Sequence, residues 1–221
     1  MKTHRTIARI VGVCFLFSNV TFILGAIAFI EPMLNDPLYL TLFASNRFQV
    51  ILGVILELMN GIAYMGIAVL MYQVLRKRFV SGALWYVAFR GIEFVMQVIA
   101  DMSPMSLLTL SEAFVNSGAA EISSFNAAGT ILLAQRYWAF QMVTVSLVLG
   151  ALMFYTMLYK SKLIPRFISI WGLVGAAVVL VNALFDWFGV SLPNLGVLML
   201  LNELFLGIWL ITKGFNSEAI E

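Results

Sequence analysis

Apolar residues in this chain come in long runs, and most polar positions fall between them. Six runs reach the roughly 20 mostly apolar residues that a helix needs to cross a hydrocarbon core. They lie at about 7–30, 48–75, 80–105, 137–159, 167–188 and 195–212. None alternates apolar and polar residues at strand period, and an open sheet edge cannot satisfy its backbone in lipid, so each run reads as helix. The expected fold class is all-α. It is a polytopic membrane protein, a bundle of six transmembrane helices, with residues 1–221 forming a single transmembrane domain.

The first run follows a basic start (Lys2, Arg5, Arg9) and contains Ala26-Ile27-Ala28, so it resembles a signal peptide. Its apolar stretch exceeds the roughly 7–15 residues of a signal h-region, which favours an uncleaved anchor. The segment between the first two runs carries Pro32 and Pro37. The segment at about 106–136 reads as a long external loop with room for an interfacial helix around Ser111 and Glu112.

Lysine and arginine set the expected orientation. Six crossings place the N-terminus, the second and fourth loops and the C-terminus on one side. That side holds Lys2, Arg5, Arg9, Arg76, Lys77, Arg78, Lys160, Lys162, Arg166 and Lys213. The other side holds only Arg47 and Arg136, with the acids Glu31, Asp36, Glu112 and Glu121. Cytoplasmic loops carry the Lys/Arg excess, so both termini are expected inside, in a bacterial cytoplasmic (inner) membrane. Trp85, Trp138, Trp171, Trp187 and the tyrosines fall mostly near the expected span ends, as interfacial belts do.

Composition agrees. The 221 residues are 62% hydrophobic and 11% charged, too apolar for a soluble core of this size. A formal net charge of +2 gives no reason to expect nucleic acid as a partner. One cysteine, Cys14, and one histidine, His4, leave no disulfide framework, no His-based metal site and no Ser-His triad. No cofactor and no metal is expected, and the lipid bilayer is the one partner the composition implies.

The specific clue is charge inside the apolar runs. Each such residue costs about 2.5–3.5 kcal/mol on insertion scales and usually faces a bundle interior or cavity. Arg90, Glu93, Gln97 and Asp101 are spaced by three, four and four, which puts them on one helix face opposite Phe89, Ile92, Val95 and Ile99. Glu57 and Asn60 lie on the second run, and Asn202 and Glu203 on the sixth. Asn19, Asp101, Asn182 and Asp186 are secondary candidates. Together these residues are expected to line one polar cavity. Glu57, Glu93 and Glu203 outnumber Arg90, so water or a cation enters or a carboxyl holds a proton. Gly172, Gly175 and Ala176 read as close helix packing.

Three functions fit this pattern. The best-supported is binding or transport of a proton, a cation or a small polar or lipid-like ligand through the Glu/Arg/Asn cluster. The second is an intramembrane enzyme on a lipid-type substrate, with a glutamate as general base and Arg90 against phosphate or oxyanion charge. The recognisable glutamate-using intramembrane proteases also need His or paired-Asp motifs, which are missing, so the enzyme ranks lower. The third is a structural or regulatory membrane subunit whose buried charges set helix register. Nothing in the sequence specifies an oligomer or a protein partner.

Four segments carry a family resemblance: NRFQVILGVILELMNGIAYMGIAVLMYQVLRK, ALWYVAFRGIEFVM, LYKSKLIPRFISIWGLVGAA and NELFLGIWLITKGF. They resemble the bacterial DUF4386 family of six-span membrane proteins of unknown function. The resemblance runs across nearly the whole chain and implies the six-span fold and the inner-membrane setting. It implies no reaction, substrate or cofactor. Glu57, Arg90, Glu93, Pro165, Arg166, Trp171, Gly172, Asn202 and Glu203 fall in the matching segments.

Overall fold

The computed structural model describes residues 2–118, 122–190, 192–193 and 195–216, and among these it contains helix and no strand. Glu121 lies outside the described residues. α1 is Lys2–Phe22 and continues into a π-helical segment, Ile23–Ile30. Two short helices follow, α2 (Glu31–Leu34) and α3 (Tyr39–Ser45). Then come α4 (Arg47–Leu75), α5 (Val80–Asn116), α6 (Ile122–Ser161), α7 (Arg166–Trp187) and α8 (Val197–Thr212).

Among the described residues, five helical stretches are long and apolar enough to cross a membrane: His4–Leu34, Arg47–Leu75, Val80–Asn116, Ile122–Ser161 and Arg166–Trp187. The sixth apolar run forms a 16-residue helix, shorter than expected. At 1.5 Å per residue it extends about 24 Å. Before it, Gly189 turns the chain at φ 75° after α7, and Pro193 lacks the N–H that a helical turn there would use. The Asn182 amide donates to the Pro193 carbonyl at 2.9 Å and ties that loop to α7.

The expected loop at 106–136 is mostly helix. α5 runs on to Asn116 and α6 begins at Ile122, so both continue well past the apolar runs. The apolar signal ends where the polar residues begin, but Ser, Glu, Asn and Gln are all compatible with helix, so the backbone does not break there.

The chain forms two compact units. The first comprises residues 1–19, 62–94 and 143–221. Val11, Phe15, Ile67, Met71, Tyr86, Phe154, Leu158 and Leu206 are part of its core. Glycines bring its helices close: a Cβ on Gly12 would stand 2.6 Å from the Gly207 carbonyl oxygen, so α1 and α8 meet backbone to backbone. Gly175 similarly admits the Met199 backbone, as helix packing predicts. At Gly172 the Tyr155 ring lies directly over the α7 backbone, where any side chain would collide with it.

The second unit comprises residues 20–61 and 95–142. Ile30, Phe43, Val50, Leu107 and Phe114 are part of its core. The π-helical segment packs on α4 at a glycine pair: a Cβ on Gly25 would lie 2.8 Å from the Gly53 carbonyl oxygen. α3 docks on α5 through Ser111, whose hydroxyl accepts the Ala44 N–H at 2.8 Å and donates to the Leu40 carbonyl. Ser111 therefore sits within α5 and fixes the segment before α4. Beside it, Arg47 pairs with Glu112 at the surface.

Candidate functional site

The polar stripe on α5 is real. Arg90, Glu93, Gln97 and Asp101 are all buried, while Ile92 and Val95 on the opposite face are 46% and 54% exposed. An apolar face open to the surroundings on a helix this long fits contact with lipid. The stripe feeds two groups of side chains, one in each unit, where the sequence suggested one cavity.

In the first unit, Arg90 is 2% exposed and its Nη1 donates to both carboxylate oxygens of Glu93, at 2.9 and 2.8 Å. One turn of α5 separates the two, so the pair closes locally. Tyr64 of α4 sets its ring 4.4 Å from the Arg90 guanidinium carbon, and Tyr86 lies 5.6 Å from it on a second side. Tyr86 stacks on Phe154, and Phe15 packs edge-on against Tyr64. The guanidinium is thus held among aromatic faces, which attract a cation more strongly once it is desolvated. The Tyr64 hydroxyl turns the other way and donates to Glu203 of α8 at 2.5 Å. Asn19 also stands beside the Glu203 carboxylate, and its amide donates to the Phe15 carbonyl at 2.8 Å. Tyr155, fully buried on α6, has a hydroxyl with no hydrogen-bond partner among the described residues.

The second unit repeats the chemistry with different residues. Glu57 of α4, 1% exposed, receives Arg136 Nη2 on both carboxylate oxygens, at 2.8 and 3.1 Å. Arg136 Nη1 reaches Asp101 Oδ1 at 3.2 Å and the Ala100 carbonyl at 3.3 Å. Gln97 bridges the two acids, donating to Glu57 at 2.8 Å and to Asp101 at 3.0 Å. Phe140, one turn along α6, lies 4.5 Å from the Arg136 guanidinium carbon. Asn60 is buried one turn beyond Glu57 on α4.

Each group therefore holds one guanidinium and two carboxylates, all out of solvent: Arg90 with Glu93 directly and Glu203 through Tyr64, and Arg136 with Glu57 and Asp101 directly. If every group is ionised, each is left with one surplus negative charge. A buried unbalanced charge is costly, so each group favours a proton or a cation as its complement. Among the described residues no three His, Cys, Asp or Glu side chains gather as a metal site.

The other candidates have different surroundings. Asn202, fully buried, donates to the Ile168 carbonyl at 2.9 Å and ties α8 to α7. Asn182 holds the loop before α8, and Asp186 is half-buried near the end of α7. Arg136, expected on the external side, and Tyr64, Tyr86 and Tyr155, part of a tyrosine set expected mostly near span ends, belong to these buried groups. Their burial corrects that expectation.

No curated protein and no solved structure matches the chain. The family profile described as "Domain of unknown function (DUF4386)" matches residues 10–214. With that match across most of its length, and with apolar helices long enough to cross a membrane, the chain belongs to the DUF4386 family.

Proposed function

We propose that this is a six-span protein of the bacterial cytoplasmic membrane that binds, and in doing so moves, a proton or a small cation. The carrying observation is that each of two buried groups holds one arginine and two carboxylates: Arg136 bonds both Glu57 and Asp101, while Arg90 bonds Glu93 and is linked to Glu203 through Tyr64. A device built only to fasten helices has no need of the second acid, because a charge-balanced pair is cheaper to bury. With an extra acid in place, gain or loss of one proton or cation switches each group between neutral and negative.

The orientation follows from the Lys/Arg bias, with both termini on the cytoplasmic side and α8 as the sixth crossing. A 16-residue helix crosses if the bilayer thins locally or the flanking residues snorkel to the interface, at a fraction of a kcal/mol per Å.

Infrared difference spectroscopy on the purified protein tests this reading. Raising pH, or adding sodium, should remove a protonated-carboxyl band, and Glu203→Gln and Asp101→Asn should each delete part of it. In proteoliposomes holding a pH-sensitive dye, an imposed potential should drive protein-dependent proton entry that both substitutions reduce. Vesicles with the protein that conduct no better than empty ones, together with an unchanged carboxyl band in both variants, would overturn it.

A further inference from the structure

We infer that a cationic hollow at one end of the first unit is a binding site for an anionic phospholipid. It lies between the α6–α7 connection and the chain leaving α8, and has a volume of about 480 Å³. Lys162, Arg166 and Lys213 line it, and among the described residues no acidic side chain does. All three cations are exposed. Their positions are set by the backbone. Lys162 takes φ 56°, a left-handed turn uncommon outside glycine, as α6 gives way to α7. Gly214, at φ 75°, turns the chain after α8. The Asn216 N–H then donates to the Leu163 carbonyl at 2.8 Å and holds the two rims together.

Three like charges around one hollow repel one another and ask for an anion with several acceptor oxygens, as a phosphate has. The apolar lining decides which anion. Trp209 forms part of the wall, and from it an aromatic row leads away along the helices. Trp209 stacks on Phe205 at 6.4 Å, and Phe205 meets Trp171 at 6.0 Å and Phe167 at 5.9 Å. Phe167 is 54% exposed. A free phosphate makes no use of such a row, whereas an acyl chain does. The occupant is therefore an amphiphile, with its phosphodiester among the three cations and its hydrocarbon along Trp209, Phe205 and Phe167. Basic pockets at the ends of membrane helices bind anionic head groups in this way. This site uses none of the Arg–carboxylate groups, so it stands or falls independently of them.

The test is fluorescence quenching of the full chain in mixed micelles by lipids brominated on the acyl chain. The signal is the part of the emission removed by Trp209→Phe. Brominated phosphatidylglycerol should quench it at a lower mole fraction than brominated phosphatidylcholine. Each charge removed should weaken the preference about fivefold, so Lys162→Gln/Lys213→Gln nearly abolishes it. Arg76→Gln/Lys77→Gln, which removes the same charge from another loop, should leave it intact. Equal quenching by the two lipids overturns the proposal. So does an equal loss in the Arg76/Lys77 variant, which would mean a diffuse surface potential. Release of phosphatidylglycerol by excess inorganic phosphate would mark a free-phosphate site and overturn it as well.

Discussion

Tyr64 faces Arg90 with its ring and Glu203 with its hydroxyl, so one side chain contacts both signs of charge in its group. The two contacts use different parts of the residue and can be separated by substitution. Tyr64→Phe keeps the ring and removes one donor to Glu203, an expected loss of about 1–3 kcal/mol for a buried hydrogen bond to a carboxylate. Tyr64→Leu should lose up to about 2 kcal/mol more as the cation–π contact goes. Denaturation of the purified protein in detergent measures both. Identical curves for the two variants would show that the ring contributes nothing to holding Arg90.

Arg136 is the sole guanidinium partner that the structure gives to Glu57 and Asp101 among the described residues. Arg136→Gln strands two buried acids, and removing one partner of a buried pair typically costs about 3–5 kcal/mol. Arg136→Lys should recover little, because one ammonium nitrogen cannot take the place of Nη2 at Glu57 and of Nη1 at Asp101 at once. Adding Glu57→Gln to Arg136→Gln should restore part of the loss. A thermal melt of Arg136→Gln that overlays the wild type would remove this arginine from the account of stability.

Gly172 should tolerate no side chain while Tyr155 keeps its position. Gly172→Ala is expected to destabilise by about 1–3 kcal/mol through overpacking. Relief by a smaller residue in Gly172→Ala/Tyr155→Leu would confirm the cause. An additive double variant would place the damage elsewhere.

Ser111→Ala removes both hydrogen bonds between α5 and α3. Hydrogen exchange at 40–45 should quicken in the variant, and exchange in α7 should not change. Protection of 40–45 equal to wild type would show that apolar contacts alone hold α3.

The helical class and the inward stripe on α5 were legible because both rest on periodicity. Charges spaced by three and four share a face whatever surrounds the helix. Which partner each charge meets is a tertiary fact, and the stripe alone did not show that Glu93 and Gln97 serve different groups. Arg136 was misplaced because hydropathy marks where lipid contact ends, while helix continues wherever polar residues permit it. A signal was present, since apolar residues flank Arg136 on both sides. Tyr64 and Tyr86 were also within reach of the sequence. Tyr64 lies seven residues after Glu57, and Tyr86 four before Arg90, both on the polar faces of their helices.

The ring of Tyr155 over Gly172 also restricts movement. A side chain lying flat on a bare stretch of backbone acts as a wedge in a notch. Sliding α7 lengthwise along α6 would carry the rim of that notch into the ring. The two helices are thereby pinned in register at that depth. Any motion of this wall that accompanies function is expected to carry α6 and α7 as one piece.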